Sequence, residues 1–197
     1  MKGLLLKDCY TITKQLKIFL IVIPVMAVTG GFFMSAFAVL LGAVLPMTAI
    51  AYDERSKWDE LAAMMPYSKG NLVLSKYLLG YICMSGAAIL VVTGQLLMKT
   101  LGIVYTDSSI NMLLFAIVGG LTFIAINTPI LFKFGSEKGR FVYLITLALI
   151  GASGSILKDI DNNMLLKILE TSPVFLLGIA VILNLISILI SINIKAE

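Results

Sequence analysis

The sequence predicts an all-α fold: a polytopic membrane protein with six transmembrane helices, an interfacial amphipathic helix at the N-terminus, and a short cytoplasmic helix between spans two and three. Three observations predict it. Five stretches, 18–52, 77–98, 108–132, 141–157 and 171–194, contain no Asp, Glu, Lys or Arg. Only 13% of the 197 residues are charged and the mean hydropathy is +1.02, where a soluble domain carries about 25% charged residues. The basic residues also divide unevenly between the two sides that those stretches define.

Residues 1–17 read as a helix lying on the membrane. Leu5, Cys9, Ile12, Leu16 and Phe19 form a stripe at alternating helical spacings, with Lys7, Asp8, Thr11, Lys14 and Gln15 on the other side. The alternative is a wet extension of the first span. No signal peptide is expected, because lysines interrupt the region where its apolar core would lie.

The 35-residue stretch 18–52 would be about 52 Å long as a straight helix, against a hydrocarbon core of about 30 Å. Charge decides between one span and two. Two spans, turning at Gly30-Gly31, put twelve Lys and Arg on one side and leave Lys99, Lys158 and Lys167 on the other; a single span splits them seven to eight. Cytoplasmic loops are enriched in Lys and Arg. Six spans are therefore expected, near 18–30, 33–51, 77–98, 110–132, 141–157 and 172–194, with both termini cytoplasmic. Pro24 is a candidate kink in the short first span. Ile160, Met164 and Ile168 recur at every fourth position between Lys158 and Glu170, as a piece resting on the outer surface or a plain loop.

Several chemistries are excluded. The chain has no His, so imidazole catalysis and His metal sites are out. Cys9 and Cys83 both fall near the cytoplasmic side, where no disulfide is expected. The spans carry none of the acidic or basic residues that ion-coupled carriers place there. Their strongly polar side chains are Gln95, Asn127 and Asn184, the candidate translocation-path residues, for which hydrogen bonding between helices is the plainer role. Small residues at 85–88 and 151–155 suit close helix packing. No Gly-Lys-[Ser/Thr] phosphate loop or hydrolytic constellation is present. No catalytic residue, metal or cofactor is expected in this chain, and in a membrane protein its net charge of +4 does not imply nucleic acid. Energy for uphill movement must come from another chain.

That requirement points to the polar island at 52–76. Asp53 is a candidate N-cap, with Glu54 in the first turn of a helix running to about Met65, where Pro66 forces a break. Trp58, Leu61, Ala62 and Met65 share one face; Arg55, Lys57, Asp59 and Glu60 point elsewhere. Such a helix suits a groove on a partner protein, or the headgroup layer with Trp58 as anchor. Four carboxylates favour a protein, because the inner leaflet is anionic.

The stretch from Ala51-Tyr-Asp-Glu-Arg-Ser-Lys-Trp-Asp-Glu-Leu through Met65-Pro-Tyr-Ser-Lys to Leu74-Ser-Lys-Tyr-Leu resembles the ABC-2 type permease family, in its compact six-span bacterial branch. The opening Met1-Lys-Gly-Leu-Leu-Leu-Lys-Asp and the length fit too, so the resemblance covers the whole chain as one transmembrane domain, 1–197. Lys69 departs from it, since the branch more often shows arginine there; the charge is kept but bidentate geometry is lost. The resemblance implies a coupling loop at 53–75 whose helix sits in a cleft of a separate ABC ATP-binding subunit. It implies Asp53, Glu54, Arg55, Trp58 and Leu61 as coupling contacts, Pro66 at the turn and Lys69 at the loop exit, with Lys7 and Lys14 facing the ATPase or the lipid. Two permease chains and two ATPase chains, the latter holding ATP and Mg, would make an exporter in the bacterial cytoplasmic membrane. The chain is similar to phenol-soluble modulin exporter permeases, which implies hydrophobic or amphipathic substrates, amphipathic peptides foremost. The competing reading is a self-protection protein that sequesters peptides without transport.

Overall fold

The computed structural model describes residues 2–29, 32–100, 110–159 and 173–196. They form helices α1 (Lys2–Thr29), α2 (Phe32–Arg55), α3 (Trp58–Ala63), α4 (Lys69–Thr100), α5 (Ile110–Asp159) and α6 (Pro173–Ala196), with no strand among the described residues. The fold is that of an all-α polytopic membrane protein. Gly30-Gly31, and most of the outer piece at 158–170, lie outside the described residues.

Four helical stretches are long and apolar enough to cross a membrane: Met34–Arg55, Lys69–Leu97, Leu113–Leu149 and Phe175–Lys195. In α1 the segments Lys2–Thr13 and Leu16–Met26 meet at 70°, a fifth candidate if the pair is one span. The bend falls well before Pro24, so the proline is not its cause. It lays the first segment against the ends of α2 and α4, where Ile12 packs with Leu45, Ala49 and Leu79. Ile12 of the expected stripe is buried there, with Leu5, Leu16 and Phe19 half-buried against the same cluster; Leu4 and Asp8 are buried in addition, Cys9 is exposed, and both cysteines are free.

The stretch 113–149 spans 37 residues, about 55 Å if straight. It is not straight. Gly135 interrupts α5 with φ 78° and ψ 172°, and its two arms fold back on each other. Thr146 Oγ1 donates to Asn127 Oδ1 at 3.3 Å across nineteen positions, and a Cβ on Gly139 would lie 3.0 Å from Leu131 Cγ. The loop expected at 133–140 is thus a break at one glycine.

α2 sits centrally, packed on α1, α4 and α5, while α6 lies against α5 and α4. Ala38, Val39, Ala43 and Met47 of α2 are buried among Tyr77, Ala87, Val91, Phe123 and Ile124. The close α2–α4 approach centres on Gly42, where a Cβ would meet Ala87 Cβ at 2.8 Å and the Cys83 carbonyl at 3.0 Å. Gly86 has open space where a Cβ would stand, so Ala87 makes the small-residue contact expected from 85–88. The side chains of 151–155 lie outside the described set. Gly42→Leu should force α2 and α4 apart and cost about 1–3 kcal/mol, measured as a lower midpoint of thermal unfolding in detergent. The outer face of α6 leaves Ile182, Leu185, Leu189 and Ile190 exposed, a contiguous apolar face suited to hydrocarbon rather than water.

Four contacts collect the basic segments at one end of the bundle. Lys7 pairs with Asp53, Lys76 with Asp8, and Lys195 with Asp59, while the Ser136 N–H donates to Glu54. The N-terminal segment, the 53–76 loop, the turn at 133–140 and the C-terminus therefore lie together, as the charge count requires.

Candidate coupling loop and its ionic anchor

The loop between α2 and α4 is built differently from the expected continuous helix. Asp53, Glu54 and Arg55 complete the last turn of α2 instead of starting a new one. The chain reverses at Ser56-Lys57, with Lys57 in the left-handed region at φ 52° and ψ 36°. Lys57 N–H donates to the Glu54 carbonyl and Glu60 N–H to the Lys57 carbonyl, both at 3.1 Å. α3 is then only six residues long and has no side-chain cap, so Asp53 is not the N-cap. Met64, Met65 and Pro66 form the turn out of it, and Ser68 Oγ accepts the Asn71 N–H at 3.2 Å to start α4.

The carboxylates of this loop tie it to the rest of the bundle. Asp53 Oδ1 accepts from Lys7 Nζ and Asp53 Oδ2 from Lys76 Nζ, both at 2.6 Å. Asp8 Oδ1 meets Lys76 Nζ at 2.6 Å and Lys7 Nζ at 3.0 Å. Two lysines and two aspartates thus form a neutral quartet joining α1, α2 and α4. It is deep: the Asp8 side chain is 1% exposed and that of Lys76 7%. Lys7, expected to face the ATPase or the lipid, turns inward instead, because the quartet holds it. The Lys14 side chain lies outside the described set. Glu54 accepts the Ser136 N–H just past the α5 break, and Asp59 Oδ1 accepts from Lys195 Nζ of α6 at 2.7 Å. Each tether reaches a different helix. The exposed Lys57–Glu60 pair, at 3.8 Å, adds little.

Trp58 is not the exposed anchor expected of it. Its ring lies beneath Lys7, with Nζ 4.2 Å from the centroid, a favourable cation–π distance, and its Nε1 is buried. The apolar surface of the loop is instead Leu61, Met64 and Met65, which are 50%, 85% and 41% exposed. Arg55, Pro66 and Lys69 are also at the surface.

The three polar residues within the spans do not converge. Gln95 Nε2 donates to Ser35 Oγ at 3.0 Å, joining α4 to α2. Asn127 donates to the Phe123 carbonyl and accepts from Thr146, joining the arms of α5. Asn184 accepts from the Tyr81 hydroxyl at 3.0 Å and donates to the Leu121 carbonyl at 3.1 Å, joining α6 to α4 and α5. Sequence reasoning missed the partners of Asn184. Tyr77 bonds Ser187 Oγ at 2.6 Å and Ser191 Oγ at 2.9 Å, and Ser187 donates to the Ala125 carbonyl. Their signal was available: 77 and 81, and 184, 187 and 191, each mark one helical stripe.

A family described as ABC-2 family transporter protein matches residues 3–196. The chain belongs to that family. Neither a curated protein nor a solved structure matches it. This ABC-2 permease is the membrane component of an ABC transporter, and membership implies an ABC ATP-binding subunit as partner. Among the described residues no group of His, Cys, Asp or Glu could hold a metal ion.

Proposed function

We propose that this permease works as the membrane subunit of an ATP-driven exporter of amphipathic peptides or other hydrophobic compounds, and that α3 is its coupling helix. The observation that carries the reading is the mechanical placing of α3. The end of α2 that precedes it is fastened by Asp53 and Glu54 to α1, α4 and α5, and α3 itself by Asp59 to α6, while Leu61, Met64 and Met65 face outward. A force applied to that apolar face reaches four other helices through short polar contacts. Asp53, Glu54 and Trp58 hold the loop in shape; Leu61, Met64 and Met65 meet the ATPase cleft, with Arg55, Pro66 and Lys69 at its margin. ATP and Mg belong to the partner, present in two copies with two permease chains.

The lysine- and arginine-rich end, with both termini, faces the bacterial cytoplasm. α5 crosses twice, and with α1, α2, α4 and α6 the chain makes six crossings. Met64→Asp combined with Leu61→Asp should abolish copurification with the ATP-binding subunit and substrate-stimulated ATP hydrolysis, while the permease still inserts into membranes. Unchanged ATP turnover would remove α3 from the coupling role. ATP-consuming complexes that leave peptide unmoved in vesicles would favour sequestration.

A further inference from the structure

We propose that the cleft between the end of α2 and the α5 turn is a site for the phosphate headgroup of an anionic lipid. This cavity, of about 100 Å³, has room for several waters at about 10–15 Å³ each. The cavity beside Gln95, at about 20 Å³, has room for one. Arg55 and Arg140 line it from the two sides, with Tyr52 and Tyr143 beside them and Met47 and Leu131 also on its wall. Among the described residues neither arginine is in an ion pair. Of the carboxylates next to Arg55 in sequence, Asp53 is held by Lys7 and Lys76, away from the cleft, and Glu54 accepts the N–H of Ser136, which also lines the cleft, so that one of its oxygens is already taken up at the cleft edge. Two guanidiniums lining one cleft without a carboxylate partner favour an anion, and their planar forks suit phosphate oxygens.

Depth and surroundings select a lipid. Met47 lies eight positions before Arg55 on α2, about 12 Å deeper along the helix, so the cleft runs from the charged end of the bundle toward hydrocarbon depth. Phe141, Leu144 and Ile145, which follow Arg140 on the second arm of α5, are exposed and offer an apolar flank to an acyl chain. Basic pockets between membrane helices on the cytoplasmic side characteristically hold anionic headgroups.

Native mass spectrometry of the purified full chain, exchanged into detergent with phosphatidylglycerol or phosphatidylcholine, tests this. The wild type should retain phosphatidylglycerol about tenfold more than phosphatidylcholine. Arg55→Gln with Arg140→Gln should lose that preference, whereas Lys138→Gln, which removes an exposed charge nearby, should keep it. Ala51→Phe, which fills the cleft and leaves every charge in place, should also lose it. Equal retention of the two lipids, an unchanged double variant, or an equal loss in Lys138→Gln would overturn the site. Displacement of the lipid by millimolar inorganic phosphate would overturn the lipid as ligand and leave a phosphate site.

Discussion

Lys76→Met should be among the most destabilising single substitutions in this permease. Lys76 Nζ bridges α4 to both Asp8 and Asp53 at 2.6 Å, the one group to do so among the described residues. Methionine fills similar space but leaves two carboxylates sharing Lys7, one negative charge in excess at a site where Asp8 is 1% exposed. Breaking a buried pair by removing one partner costs about 3–5 kcal/mol, because the remaining charge is desolvated and uncompensated. The first segment of α1 should come away from α4, visible as a lower unfolding midpoint and faster proteolysis near residue 10. Adding Asp8→Asn restores neutrality, with Lys7 against Asp53. The double variant should therefore be more stable than Lys76→Met alone, a non-additivity of about 0.5–3 kcal/mol. Additive losses would mean that the quartet does not act as a unit.

Gly135→Ala should be the second large effect, out of proportion to one methyl group. The backbone there, at φ 78° and ψ 172°, is a conformation that essentially only glycine adopts, worth about 1–3 kcal/mol of strain for other residues. A Cβ would also stand 2.8 Å from Glu54 Oε1, pushing that carboxylate off the Ser136 N–H. The substitution thus opens the α5 turn and cuts the tether between α5 and the loop that joins α2 to α4. Gly86→Ala is the matched control: nothing lies within 4 Å of its Cβ position, and a helical alanine gains about 0.5–1 kcal/mol over glycine. A lower unfolding midpoint and weaker ATPase stimulation are expected for Gly135→Ala, with neither in Gly86→Ala. Equal behaviour of the two would argue against Gly135 as the pivot.

The features written in local composition were legible in the sequence. Charge-free stretches gave the helices, and the segregation of Lys and Arg placed the N-terminal segment, the 53–76 loop, the 133–140 turn and the C-terminus at one end, where ion pairs and the Ser136–Glu54 hydrogen bond join them. What stayed hidden depends on partners distant in the chain or on a single dihedral angle. Asp8 looked like a solvated position because its counter-charge, Lys76, lies 68 residues away. Trp58 looked like a docking anchor because a continuous helix would present it with Leu61 and Met65. The left-handed turn at Lys57 ends α2 and resets the direction of α3, so the tryptophan folds onto Lys7 and the methionines take the surface. Nothing in the pattern of apolar residues encodes that reversal.

Met64 offers the most direct measurement, since it is 85% exposed at the tip of the loop. In a Cys9→Ser, Cys83→Ala background, Met64→Cys should react with a membrane-impermeant maleimide in inside-out vesicles and not in intact cells. Bound ATP-binding subunit should protect it, and a short cross-linker should join the two chains through that cysteine. Labelling from the outside, or full reactivity in the presence of the ATPase, would contradict a loop that carries force from the cytoplasm into the membrane helices.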